Sequence, residues 1–349
     1  MNNEWKNYLL SINANIENNR VNDFAKSLEE ETASFNRLAL ADLSHYSLIE
    51  ASGEDVVQFL QGQLTNDIKS VTENNSQLSA YCNPKGRILA NFRIFKRDDK
   101  YYLRLRNDTI EATLKRLRMF VMRSKVELID VSDSFVGIGI AGELAQEKLA
   151  TIFLTLPAEA DGALSEKGMT IIKLPGSLPQ YEAYGSPQDI INLWGALTND
   201  AVCIGENSWN LLTIRAGIPE IVADTVEEFV PQMVNLQAIN SLSFTKGCYP
   251  GQEIVARMHY LGKLKRRLYR ATVECDILPA PGQAILTLNE NTQKVGQVVN
   301  ASWASPKVAE ILAVLQIENA ETNNLHLDSD THQQIQLAEL PYSLDNDKK

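Results

Sequence analysis

Cysteine is scarce in this chain. There are four in 349 residues, at positions 82, 203, 248 and 275, and no two lie closer than 27 residues. Such spacing excludes a CxxC redox pair, a zinc ribbon and a local cluster-binding run. In a chain of this size it also argues against a disulfide framework and for a reducing compartment. Histidine is equally rare, four in all, and no HExxH, calcium-loop or GxxxxGK[ST] pattern is present. No apolar run approaches the ~18 residues that a membrane span needs. The opening MNNEWKNYLLSINANIENNR lacks the charged-then-apolar order of a signal peptide, and the first 36 residues carry six acids against three bases, unlike a transit peptide. The expected location is the cytoplasm.

Positive charge is also in short supply. With 33 Lys and Arg against 44 Asp and Glu the net charge is -11, which excludes a general nucleic-acid coat, because phosphate binding needs clustered bases. The deficit is uneven. Residues 246–270 hold seven bases against one acid, a local +6 that leaves -17 for the rest of the chain. A basic surface there suits an anionic small molecule or an acidic partner, and it equally suits a solvated face.

Residues 1–37 read as a polar lead segment rich in Asn and Glu, part helix and part disorder, ahead of a compact region that begins near Leu38. SGEDVVQFLQGQLTNDI has apolar residues at helical spacing, and its Ser52 and Asp55 resemble a capping box. QLSAYCN and RILANFRIFKR read as strands joined through PKG, followed by a strand KYYLRLR and a helix TIEATLKRLRMFV. Gly137, Gly139 and Gly142 stand in GxGxxG spacing between a strand and a helix. The acid that would hold a ribose is missing after MTIIKL, where PGS follows, so close packing is the better reading than a nucleotide site. From about Leu264 short alternating runs separated by Pro and Gly predict an all-β barrel or sandwich. The expected class is α+β. Its segments are 38–130 and 131–205 as two α+β domains, 206–262 as a return segment and 263–349 as a C-terminal β-barrel.

Residues 246–253, KGCYPGQE, surround one cysteine with polar and backbone-bending neighbours. Pro250 and Gly251 make a turn, and QEIVARMHY offers Ile254, Val255 and Met258 as the buried stripe of a helix. Cys248 then precedes a helix start with Lys246 two residues away, and both a helix dipole and a cation stabilise a thiolate. An inert turn cysteine is the open alternative. His259 lies three helical turns on and is no natural base for the thiol. A lone thiol without a base points to binding, redox or sulfur handling rather than hydrolysis, and so away from a conventional enzyme.

The string KGCYPGQE, preceded by FVPQMVNLQAINSLSFT and WNLLTIRAGIPEI and supported by LQGQLTND and AYCNPKGRILANFRIF, closely resembles the YgfZ family. These folate-binding proteins are related in fold to the aminomethyltransferase (T-protein) of the glycine cleavage system. The likeness runs from about Leu38 to near the C-terminus. It implies a three-domain ring around a central channel for tetrahydrofolate or a derivative, to which 38–130 and 206–262 contribute. It also implies a role in maintaining iron–sulfur enzymes, such as the radical enzyme that thiomethylates tRNA, without strong direct nucleic-acid binding. Residue by residue, Cys248 matches the family's characteristic cysteine, a reactive or ligand-contacting thiol, with Lys246 beside it. Gly251, Gln252 and Glu253 are its signature neighbours on the folate-binding side. Trp209 falls on an aromatic position linked to folate, and Tyr46 on a second one that is often Trp. Aminomethyltransferases carry adjacent acids where this chain has Ala90 and Asn91. That disfavours the alternative of a folate-dependent one-carbon transferase, which needs a titratable group. No resident metal site is expected.

Overall fold

The computed structural model describes residues 1–288, 292–320 and 324–344; parts of the expected 263–349 segment lie outside them. The chain divides into two compact units, one of residues 1–60, 68–77 and 92–209, the other of residues 61–67, 78–91 and 210–349.

The first unit is built on a six-stranded sheet. Its order is Ala163–Glu166, Met169–Lys173, Gln180–Gly185, Val136–Ala141, Ala39–Asp42 and Val202–Ile204. All neighbours are antiparallel except the last pair, which is parallel. Leu40, Ile138, Ile140 and Ile171 face one core. The helix Pro187–Leu197 closes over that core with Ile190, Leu193, Trp194 and Leu197, the i, i+3, i+4, i+7 stripe of an amphipathic helix. Ser186 caps it by accepting the Asp189 N–H, and Pro187 takes the first position, where no N–H is needed.

The lead segment is folded into this same core. A helix, Asn3–Ser11, buries Trp5 and Leu9, and a strand pair, Asn15–Glu17 with Arg20–Asp23, follows it. The Trp5 ring meets Trp194 edge-on at 5.3 Å, and its indole N–H donates to Asp42 at 2.7 Å. Polar composition hid this, because one buried Trp anchors a helix whose other residues face water.

A second sheet has the order Ser76–Cys82, Ile88–Arg97, Lys100–Arg106, Tyr46–Ser52 and Glu127–Asp130. Its first two strands run on into the second unit. The expected strands and the helix Ile110–Val121 stand as read. The expected capping box does not. Ser52 ends a strand, the helix is only Val56–Gln61, and the Asp55 carboxylate instead accepts the Lys125 N–H at 2.8 Å.

The second unit contains a closed barrel of Arg266–Glu274, Val308–Gln316, Thr292–Ser305, Ala284–Leu288, Leu325–Leu327 and Asp330–Ala338, the last strand pairing back with the first. Alternate residues such as Ala309, Ile311, Ala313 and Leu315 fill its interior. A separate apolar cluster, including Phe229, Leu236, Val255, Leu268 and Leu312, packs the helix Gln252–Tyr260 against the barrel strands.

Candidate functional site

The residues singled out in the sequence divide between the units: Tyr46 and Trp209 in the first, Lys246, Cys248, Gly251, Gln252 and Glu253 in the second.

In the second unit a turn over Asn83–Arg87 follows the strand ending at Cys82. The Asn83 side-chain oxygen accepts the N–H groups of Lys85 (2.8 Å) and Arg87 (3.0 Å), which folds the chain back on itself. Gly251 rests on this turn. It has φ +82°, and a Cβ there would lie 2.5 Å from the Asn83 carbonyl oxygen and 2.6 Å from the Gly86 Cα. Glycine is therefore required twice over, by conformation and by space. The helix Gln252–Tyr260 starts from it with Val255 fully buried, Gln252 half-buried and Glu253 exposed in the first turn. The expected stripe is narrower than read: Ile254 is 41 % exposed and Met258 only half-buried.

Lys246 turns inward. Its ammonium donates to the carbonyls of Gln61 (2.7 Å) and Leu64 (2.5 Å) and lies 5.2 Å from the Tyr249 ring centre. Burial lowers its pKa to about 8, against the opposing pull of Asp67. Nearby, Thr65 donates to the Ser241 carbonyl (3.0 Å), and Asn66 donates to the carbonyls of Leu78 (2.9 Å) and Asn240 (2.6 Å). The strings LQGQLTND, AYCNPKG and KGCYPGQE thus form one hydrogen-bonded assembly. Of the four cysteines Cys248 alone is exposed. Burial pushes the Cys82 thiol up to about 12 and the Cys203 thiol up to about 11. His259 is stacked on Phe244, with ring centres 3.7 Å apart.

Ala90 is fully buried, and Asn91 is a clamp. Its side-chain oxygen accepts the Ile221 N–H (2.9 Å) and its amide donates to the Pro219 carbonyl (2.7 Å). Neither position offers a carboxylate.

In the first unit Tyr46 begins a strand paired with Lys100–Arg106. That pairing sets the Arg104 guanidinium 3.9 Å from its ring centre, and His45 packs beside it at 4.1 Å. A cavity of about 280 Å³ opens here, lined by Tyr46, Ser47, Arg104, Asn107, Phe135, Gly137 and Tyr184 among others. Arg104 lies 3.6 Å from Glu182, which accepts the Tyr184 hydroxyl at 2.8 Å. Burial raises the Tyr184 pKa well above the ordinary phenol value. Arg106 donates to Glu206 at 2.8 Å, and Arg20 lies 3.7 Å from the same oxygen. These buried charges were missed in the sequence. The signal was available: arginines at alternate positions of YYLRLR, and a lone acid in QYEAYG, sit among apolar residues where a charge needs a partner.

Trp209 is 2 % exposed, on the helix Glu206–Arg215. Its ring lies on Gly139, where a Cβ would come within 2.4 Å of it. A Cβ at Gly137 would meet the Tyr184 ring at 2.7 Å, and Gly142 has φ +120° with the Arg37 carbonyl 2.5 Å from where its Cβ would stand. The GxGxxG spacing is therefore spent on packing. Gly139→Ala is expected to push the Trp209 ring aside, at a cost of about 1–3 kcal/mol, visible as a shifted tryptophan emission and a lower denaturation midpoint; an unchanged spectrum would contradict this contact. Among the described residues no group of three His, Cys, Asp or Glu is placed to hold a metal ion, and no helix is long and apolar enough to cross a membrane.

Known proteins resemble this chain in sequence and in fold. The model of the GCVT N-terminal domain matches residues 11–171. The solved structure of glycine cleavage system aminomethyltransferase T from Bartonella henselae superposes with a TM-score of 0.78, covering 98 % of this chain and 97 % of that one. At 15 % identity it shows a common mixed α/β fold alone. The tRNA-modifying protein YgfZ of Colwellia psychrerythraea is 33 % identical over 307 residues, 87 % of this chain and 93 % of that protein. Its counterpart from Yersinia enterocolitica is 33 % identical over 320 residues, 91 % and 96 %. With a third of its residues shared over nearly the whole length of these relatives, the chain belongs to the YgfZ family, on a fold held in common with the aminomethyltransferase.

Proposed function

We propose that the protein is a tetrahydrofolate-binding accessory protein that supports iron–sulfur enzymes and, through them, the thiomethylation of tRNA. The observation that carries the folate reading is the cavity at Tyr46. A pterin is flat and edged with hydrogen-bond donors and acceptors. It needs an aromatic surface together with a few fixed polar groups, and Tyr46, Tyr184 and Arg104 offer both around about 280 Å³. Trp209, which the family resemblance links to folate, is buried on Gly139 and is not among the residues that line this cavity. When bound, the folate would bring one-carbon chemistry. The chain's own part would be to orient the ring and exclude water. The relatives' name, tRNA-modifying protein, supports the endpoint. The iron–sulfur step rests on the family resemblance, with the exposed Cys248 as the thiol for it, whether reactive or only in contact. The rival reading, an aminomethyl transferase, is disfavoured by Asn91, whose side chain is already committed to the Pro219–Ile221 backbone.

Titration of intrinsic fluorescence with 5-formyltetrahydrofolate tests the reading. Saturable quenching is expected, weakened about tenfold or more in Tyr46→Ala, since a stacked ring contributes on the order of 1 kcal/mol or more. Absence of saturable quenching in the unmodified chain would sink the folate assignment. Turnover of an aminomethyl donor would restore the transferase reading.

A further inference from the structure

The surface around the helix Gln252–Tyr260 in the second unit has features that folate binding leaves unused. Of the seven bases between residues 246 and 270, three are committed. Lys246 is buried on carbonyls, Arg267 donates to the Tyr269 hydroxyl (3.0 Å) and Arg270 to the Arg215 carbonyl (3.4 Å). The other four, Arg257, Lys263, Lys265 and Arg266, are exposed, and their side chains make no ion pair or hydrogen bond with a described residue. Unpaired like charges so close in sequence repel one another, a standing cost that an acidic partner would relieve. Large apolar side chains stand among them: Tyr260 is 65 % and Leu261 83 % exposed.

The same run walls a cavity. Arg266, Arg87 and Lys294 line about 180 Å³ of space in which Glu228 is the acid. Its carboxylate already accepts the Gln297 amide (3.2 Å), and its carbonyl takes the Arg87 guanidinium. Three cations thus surround one engaged carboxylate. Arg87 closes the turn on which Gly251 rests. Two of the cavity's lining residues therefore come from the turn beneath the start of the motif helix and from the segment just beyond its end, the others from residues 228–233 and the barrel strands.

From this juxtaposition we infer that the face formed by the helix end, Lys263–Arg266 and the Arg87–Lys294 cavity is the docking surface for an acidic protein segment with an apolar anchor. The partner's carboxylates meet the free cations and the cavity, and its apolar residue packs on Tyr260 and Leu261. Nucleic acid fits less well. Tyr260 offers a ring on which a base could stack, but a long polyanion would run off a +6 patch onto a chain that is -17 elsewhere. A short acidic segment needs only the patch. Docking there brings the partner to the unit that carries the exposed Cys248, four residues ahead of that helix. The inference goes beyond the folate reading and stands on this surface alone.

Fluorescence anisotropy on the full chain tests it, with a labelled peptide of glutamates and leucines, an oligoglutamate of equal charge and a single-stranded RNA as probes. The leucine-bearing peptide is expected to bind about tenfold tighter than either other probe. Lys263→Glu with Lys265→Glu should weaken it about tenfold, and so, separately, should Leu261→Ser. These residues are exposed, so the thermal midpoint should hold, and an unchanged folate titration of the same variants keeps this test apart from that of the folate site. RNA binding as tight as the peptide, or peptide affinity that ignores the variants, overturns the inference. So does failure of the peptide to bind, and so does self-association abolished by the charge reversals, which would give the face to a second copy of the chain.

Discussion

Gly251→Ala is expected to destabilise the protein by about 2–4 kcal/mol, whereas Gly247→Ala, four residues earlier in the same motif, should cost less than about 0.5 kcal/mol. The two glycines look alike in the string KGCYPGQE. The structure separates them. Gly247 has open space within 4 Å of where a Cβ would stand. Gly251 is left-handed at φ +82°, with the Asn83 carbonyl oxygen 2.5 Å from that position and Gly86 just beyond. The obstructing atoms are backbone, held by the Asn83 turn, so no side chain can swing away to make room. Urea denaturation of both variants checks the prediction. Equal losses would mean that the motif turn does not rest on Gly86. Because the helix Gln252–Tyr260 starts from Gly251, the same variant should also change the alkylation rate of Cys248, the one exposed thiol.

Glu206→Gln is expected to cost about 3 kcal/mol at pH 7 and progressively less in acid. Burial works to raise the Glu206 pKa, but His45, Arg106 and Arg20 outweigh it and hold the carboxyl at about 2, against an ordinary value of 4.5. A carboxyl whose folded pKa is depressed contributes stability that is fully present above its unfolded pKa. That stability is lost as the pH falls through the folded value. The gap between the native protein and the variant should therefore be constant above about pH 5 and close between 4.5 and 2. Asp42 acts in the opposite sense. Burial raises its pKa to about 6, against the hydrogen bonds from Trp5 and Ser44. Its ionised form therefore costs stability as the pH rises from 3.8 to 6, a window that overlaps the one in which Glu206 acts only between 3.8 and 4.5. Denaturation midpoints measured from pH 3 to 8 separate the two groups. A Glu206→Gln deficit that stays constant down to pH 3 would refute the assigned cause.

Much of this protein was readable locally. The strands Ile88–Arg97 and Lys100–Arg106, the helices Ile110–Val121 and Gln252–Tyr260 and the barrel beginning at Arg266 follow from hydrophobic period and turn residues. The motif that identifies the family is a contiguous string. Other features were out of reach. Asn3–Ser11 has too few apolar residues to declare itself, and only the presence of Trp194 and Asp42 makes Trp5 an anchor. Lys246 reads as a cation beside a thiol, yet its ammonium is bonded to carbonyls at positions 61 and 64, more than 180 residues away. Nothing local distinguishes it from Lys263, which stays in water.

The sequence by itself determined the element types, the glycine corners, the lack of a carboxylate at Ala90 and Asn91, and the excess of positive charge after Lys246. Each depends on neighbours within a turn or two, where propensity and period act. Only the tertiary structure decided which charges are buried and paired, that Gly137 and Gly139 serve Tyr184 and Trp209, and which four cations of residues 246–270 have no ion pair among the described residues. Burial and hydrogen-bond partners are set by chain closure between distant segments, and the free energy of a charge depends on what closes around it.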